Sequence, residues 1–212
     1  MTARLHDLQR VREASGAPVS ACRAALDAAA GHVADAIDLL ARQSKAASDV
    51  AHPFDGTDWF TGPPLTRTAL HAAQQALGFR FPAAYTDLLL IRNGGSTRHG
   101  CFAVSRPTSW APDHIAITGI RGIGGKHGID IATERAIHAD WGYPSWGFVF
   151  AETPTAGHTV VMFDYRACGP EGEPCVVWVD TYGDAPEVLP LAQDFTAFVA
   201  GLCDAEAFDG RG

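Results

Sequence analysis

The sequence predicts an α+β protein, a small three-helix bundle followed by a domain whose helices pack on a mostly antiparallel sheet. Three observations predict it. Residues 70–95 (LHAAQQALGFRFPAAYTDLLLIRNGG) read as helix, turn, second helix and stop. Residues 148–180 carry three apolar runs separated by short loops rich in turn residues. The alanine-rich residues 1–47 instead carry apolar stripes of helical period.

The first helix opens at Leu5 and Leu8 and ends near Ser15-Gly16. A second spans about Val19 to Ala29, with Val19, Cys22 and Leu26 at i, i+3 and i+7. A third begins near His32, where Val33, Ala36, Ile37 and Leu40 form one face; Asp35 in its first turn and Arg42 in its last suit the helix dipole. Cys22, on the apolar stripe, reads as a buried small hydrophobe and not a reactive thiol. Residues 48–64 form a linker. Pro53, Gly56, Gly62 and Pro63-Pro64 break the period, while Phe54, Trp59 and Phe60 are too apolar for a free tether and are expected to lie against the second domain, residues 65–205.

In that domain Leu70, Ala73 and Leu77 share one helical stripe, and Gly78 suits the left-handed position that ends it. Pro82 starts the next helix, where its missing N–H costs nothing. Tyr85, Leu88 and Leu89 share a face; Leu90 and Ile91 make the helix apolar nearly all round, which predicts burial on more than one side. Asn93-Gly94-Gly95 supplies a sharp exit. Cys101–Val104 and His114–Ile117 read as short strands, and Asp130 is expected to cap a helix reaching about His138. Strands Phe148–Glu152, Thr159–Tyr165 and Cys175–Asp180 make an antiparallel meander, since parallel pairing would need long crossovers. Leu191–Leu202 closes the chain as a helix, with Leu191, Phe195, Phe198 and Leu202 on one stripe.

Composition narrows function. Twenty-four acidic against 16 basic side chains leave a net charge of −8, which disfavours binding to a phosphate backbone. No run approaches the ~18–20 apolar residues of a membrane span, and the N-terminus does not resemble a signal peptide. Five cysteines without an export signal point to reduced thiols in a cytoplasmic protein; at Cys168 and Cys175, which flank a hairpin loop, two thiols are expected over a disulfide. Gly119–Gly128 is glycine-rich, but no glycine stands five residues before the Gly125-Lys126 pair, and His127 replaces the hydroxyl of a phosphate loop. The HExxH, CxxC and GxSxG patterns are absent and the nine histidines are scattered, so no cofactor, metal or catalytic set is expected. Trp141, Tyr143 and Trp146 cluster within six positions, as a binding hot spot or as a plug at the end of a sheet. Asp164, Asp180 and Asp184 stand near strand ends, as an acidic rim or an ordinary solvated surface.

Two resemblances add to this reading. The order LG…FP…Y…LL…NGG up to Gly95, then Phe148-Val149-Phe150-Ala151, Gly157-His158, Met162-Phe163-Asp164-Tyr165, Val176–Asp180 and Phe195…Phe198…Leu202, resembles the SUKH superfamily over roughly Leu65–Leu202. That group is known from bacterial toxin-immunity proteins and fungal cell-wall regulators. His158 departs from it, since members often carry aspartate after this glycine. The run from Leu8 to Ala47, with Ser15-Gly16-Ala17, Cys22, Ala25-Leu26, Gly31 and Ala36-Ile37, resembles the UBA-like N-terminal domain of elongation factor Ts, which docks on elongation factor Tu. Pro18, Ser20 and His32 depart from that pattern. The resemblances imply a non-enzymatic protein-binding protein, an immunity protein that neutralises a toxin effector. The alternatives are an intracellular adaptor whose helical module docks a translational GTPase such as elongation factor Tu, and a hydrolase with its site on Gly119–Asp130 or around Trp146. The candidate partner contacts are Gly16, Ala17 and Val19 in the helical module and Trp141, Tyr143, Trp146, Asp164 and Asp180 in the second domain.

Overall fold

The computed structural model describes residues 2–41, 53–132 and 134–209. The chain divides into two compact units, Met1–Ala51 and His52–Gly212. Arg42 and residues 48–52 of the expected linker lie outside the described residues.

In the first unit α1 (Thr2–Ser15), α2 (Val19–Ala28) and α3 (residues 33–41) follow the expected order. Val11, Cys22, Ala25, Leu26, Ala36 and Leu40 form the core. Cys22 is fully buried, with Sγ 3.5 Å from the Ala17 carbonyl, as a small hydrophobe with one weak donor would be. Val19 departs from its expected stripe and is 42% exposed. Cβ bonds tilt toward a helix's N-terminus, so the side chain of a first residue projects past the helix end and beyond the cover of the neighbouring helix.

The second unit opens with two helices. α4 (Arg67–Leu77) is capped by Thr66, whose Oγ1 accepts from Ala69 N at 3.1 Å. Gly78 ends it at φ +79°, a conformation a Cβ would oppose. Pro82 precedes α5 (Ala83–Ile91) as expected. Burial on more than one side of α5 does not occur. Tyr85, Leu88 and Leu89 are buried, Leu90 is half-buried and Ile91 is 67% exposed, because the sheet covers one side of this short helix and solvent the other. Ile91→Lys is therefore expected to change unfolding free energy by no more than about 0.5 kcal/mol in urea denaturation.

Nine strands follow among the described residues: β1 (Gly95–Ser96), β2 (Cys101–Ala103), β3 (His114–Ala116), β4 (Gly119–Ile120), β5 (Gly147–Glu152), β6 (Thr159–Asp164), β7 (Cys175–Asp180), β8 (Glu187–Ala192) and β9 (Leu202–Cys203). Six form one sheet in the order β1-β4-β5-β6-β7-β8, every neighbouring pair antiparallel, and β3-β2-β9 form a small second sheet. The architecture is α+β, as the sequence predicts. The expected Leu191–Leu202 helix is shorter: Leu191 belongs to β8 and Leu202 to β9, leaving α7 at Phe195–Ala200. Asp194 starts that helix by accepting from Ala197 N at 2.7 Å. A proline cannot donate to a ladder, but β8 is an edge strand and a register shift opposite Val176/Val177 accommodates Pro190. Asp130 stands one turn ahead of α6 (Glu134–Trp141), its carbonyl accepting from Glu134 N at 2.8 Å. Its carboxylate accepts from Ala132 N at 3.0 Å in that turn.

Alternation sorts the central strands into two faces. Phe148, Phe150, Phe163 and Trp178 point one way and are essentially solvent-free, with Tyr85 and Phe195 each 5.3 Å from the Phe163 ring or one another. Val149, Val160, Met162, Val177 and Val179 point the other way, with Tyr143 buried among them and Trp146 packed on their margin. From Pro53 onward the residues expected to form a connection pack as a strap along β1. Phe54 bridges Thr97, Asp55 N donates to Ser96 O at 3.0 Å, and the Arg92 guanidinium stands 5.3 Å over the Phe54 ring.

Candidate functional site

At one end of the six-stranded sheet β5 finishes at Glu152, β6 begins at Thr159, β7 finishes at Asp180 and β8 begins at Glu187. The Thr153, Thr155 and Thr159 hydroxyls close the β5–β6 hairpin through contacts of 2.7–2.9 Å. The Tyr143 hydroxyl donates to the Gly157 carbonyl, and the Trp141 indole lies on Gly157, where a Cβ would come within 3.1 Å of the ring. A cleft of about 370 Å³ opens here, lined by Arg121, Lys126, His127, Trp141, Tyr143 and Glu152 among others.

Its floor is a buried ion network. Arg121 donates to Glu134 Oε1 at 3.1 Å and Oε2 at 3.2 Å, and to the Val149 and Gly128 carbonyls at 3.2 and 3.1 Å. Its Nε makes no hydrogen bond and faces Glu152 Oε1 at 3.5 Å. His138 Nε2 stands 3.4 Å from Glu134 Oε1. Burial alone would push the Glu134 carboxyl up; His138 and Arg121 together outweigh it and hold the carboxyl below the usual range. Glu152 goes the other way: burial pushes it up more than Arg121 and His127 pull it down. Burial also takes the Tyr143 phenol up to about 12.

The sign for Glu152 gives a test. A carboxyl raised in the folded state favours folding below its unfolded value and loses that contribution as pH rises through the folded one. Glu152→Gln is thus expected to be at least as stable as the parent at pH 7, with the difference vanishing below the ordinary carboxyl value of 4.5. Thermal denaturation at pH 7 and pH 4 checks it.

The glycine-rich loop is closed on itself and strapped down. Gly124 N donates to Ile129 O at 2.8 Å and Ile129 N to Gly122 O at 2.7 Å. The His127 ring lies 5.0 Å from Trp59 and 5.1 Å from Phe60, and Lys126 Nζ stands 5.6 Å over Trp59. Among the described residues no group of three or more His, Cys, Asp or Glu is placed to hold a metal ion, and no helix is long and apolar enough to cross a membrane.

The model of the SMI1 / KNR4 family (SUKH-1) matches residues 64–201, more than half of the chain. The chain belongs to this family. No curated protein and no solved structure matches it. The SUKH-1 match takes in both helices that cover the aromatic face, the whole six-stranded sheet and the cleft, and it leaves the three N-terminal helices outside.

Within the SUKH-1 domain the structure separates the candidate contacts. Trp141 and Tyr143 meet at the cleft, one exposed at its lip and the other buried in its wall. Trp146 is half-buried at the opposite end, with the Arg166 guanidinium 4.3 Å over its ring. Asp164 and Asp180 do not make one rim. Asp164 pairs in register with Cys175 and Asp180 with Thr159, so they mark opposite ends of the sheet, and both are buried. Asp164 accepts from the Arg166 guanidinium at 2.6 Å, which with the Arg166 backbone N–H at 3.0 Å holds its carboxyl below the usual range against the pull of burial. Asp180 accepts from Ser109 Oγ at 2.5 Å and Tyr182 N at 2.8 Å. In the first unit Gly16 and Val19 are exposed and Ala17 is half-buried. Arg121, Glu134, Glu152 and His158 carry no motif. An arginine directly after a Gly-Ile pair and a glutamate ending an apolar strand are the local signals, and neither names its partner. Cys168 and Cys175 are free thiols, as expected.

Proposed function

We propose that this SUKH-1 protein is a non-enzymatic binding protein that neutralises a toxin effector by direct association. The family match carries this reading. It is supported by the cleft's chemistry: Arg121 on its floor is held by Glu134 and two backbone carbonyls, an arrangement that maintains a shape more readily than it moves a proton. The net charge of −8 favours fast association with a basic partner. A second reading has its own observation. Val19 is turned out of the first unit's core beside exposed Gly16, which suits an adaptor that docks a translational GTPase such as elongation factor Tu through the UBA-like module.

Retention from native lysate by the full chain and by its Val19→Asp variant, read by mass spectrometry, tests both. An effector domain held by both chains, together with restored growth when effector and protein are co-expressed, is the expected result. A housekeeping GTPase held by the parent and lost with Val19→Asp makes the adaptor reading the correct one.

A further inference from the structure

The exposed large apolar side chains of the second unit are unevenly placed. Among the described residues Trp59, Ile91, Trp110, Trp141 and Tyr182 are the ones that reach solvent, and four of these five gather at the cleft end of the sheet. Trp141 meets His158 edge-on at 5.5 Å, and His158 meets Tyr182 at 5.4 Å, giving a row of three rings across the β5–β6 and β7–β8 turns. Trp110 adjoins it through Ser109, which bonds Asp180 just before that turn. Trp59 flanks the other side, sharing a shallow depression with Thr153 and Ala156 of the β5–β6 hairpin. His158, the departure from the family pattern, is thus the ring that joins the two exposed aromatics.

Two features fix the chemistry such a surface recognises. The first is charge. The six basic and six acidic side chains of residues 1–51 cancel, so the whole net charge of −8 falls on residues 52–212. Asp140 adjoins Trp141, Asp184 lies two residues beyond Tyr182, and both are exposed. The second is the use this fold makes of its other rings. Arg166 covers Trp146, Arg92 covers Phe54 and Lys126 covers Trp59, whereas no cation of the described residues stands over Trp110, Trp141 or Tyr182. Of the cations at this end, Arg121 is held by Glu134, Arg106 by Glu187, and Lys126 stands over Trp59. The open rings beside exposed Asp140 and Asp184 therefore attract a cationic side chain through the ring quadrupole and the field together.

We infer that the Trp141–His158–Tyr182 row, with Trp110 beside it, is the docking surface for a basic protein partner that lays arginine or lysine side chains on these rings. The inference rests on the protein-binding reading above and names the surface and the partner's chemistry. The opposite end of the sheet is acidic too, with Glu171 and Glu173, but its tryptophan is already covered by Arg166. Charge alone therefore does not distinguish the two ends. The open rings do.

The test uses the full chain and fluorescein-labelled nona-arginine, followed by anisotropy at low salt. Trp141→Ala with Tyr182→Ala leaves the charge unchanged and alters two exposed side chains, so melting should stay near that of the parent. Binding should weaken about tenfold, the effect of losing two cation–π contacts. Glu171→Gln with Glu173→Gln, at the far end, should weaken binding by less than twofold. Parent-like affinity of the aromatic variant overturns the inference, and so does an equal loss in the far-end variant. The two readings fail separately. An effector retained equally by the parent and the aromatic variant overturns this surface while leaving protein binding intact. A parent that binds nona-arginine through the rings but retains no effector upholds the surface and overturns the immunity role.

Discussion

Arg121→Ala is expected to destabilise the second unit by about 3–5 kcal/mol, because it leaves the Glu134 carboxylate buried without its main partner. Equilibrium urea unfolding measures the loss. Replacing both members, Arg121→Met with Glu134→Leu, should recover most of it, since the larger part is the desolvation of a stranded charge and not the worth of the pair. The pH response of the parent carries the same signature. Glu134 is depressed in the folded state, so its contribution is present above the ordinary value of 4.5 and is lost as pH falls through the depressed folded value. In Arg121→Ala that acid-side loss should shrink or reverse. A single variant that unfolds like the parent at pH 7 would show that the network adds nothing to stability.

Asn93→Ala has the second-largest expected effect, a loss of about 2–4 kcal/mol. The side chain is buried and fully engaged: Nδ2 donates to Pro63 O at 2.7 Å and Ile123 O at 2.9 Å, and Oδ1 accepts from Ile123 N at 2.8 Å. Removing it strands a buried N–H and two carbonyls at once, each costing roughly 1–3 kcal/mol where water cannot replace the partner. It also unties the strap, since Asn93 joins Pro63 to the loop that carries Lys126 and His127. Asn93→Asp, which sets a buried carboxylate oxygen against the Pro63 and Ile123 carbonyls, should lose at least as much as Asn93→Ala. Urea unfolding ranks the series, and faster proteolysis between Pro53 and Pro64 in Asn93→Ala would locate the loosening. Equal stability of all three chains would contradict the assignment.

What was legible in the chain follows from the range of the interactions involved. Gly78, Pro82 and the runs of β5, β6 and β7 are local matters of backbone freedom and side-chain period, and they stand where those predict. Cys22 was readable because three neighbouring positions define its stripe. Val19 and Ile91 were misread since periodicity states which residues share a face and not how far the cover extends. Leu191 was placed in a helix because its spacing to Phe195 suits one, while the pairing of β8 with β7, a tertiary event, decided otherwise. Asn93 read as a turn residue; its three bonds reach residues 30 positions away on either side. The Arg121–Glu134 pair spans 13 positions through a loop, a separation at which no periodic pattern links two side chains. The cleft is therefore visible in the sequence as Trp141, Tyr143 and the glycine-rich loop, without its ionic floor.

The outer strand of the six-stranded sheet has one more consequence. β8 carries Pro190 in mid-strand and an irregular register against β7, so its outward row of donors and acceptors is broken. An incoming peptide cannot extend the sheet there by main-chain hydrogen bonds, the sequence-tolerant way in which many domains capture extended ligands. Recognition at this edge then falls to side chains. Such an interface can be respecified by exchanging a few surface residues while the ladder beneath stays untouched, and its errors are mispaired charges and rings in place of unintended strand addition between copies.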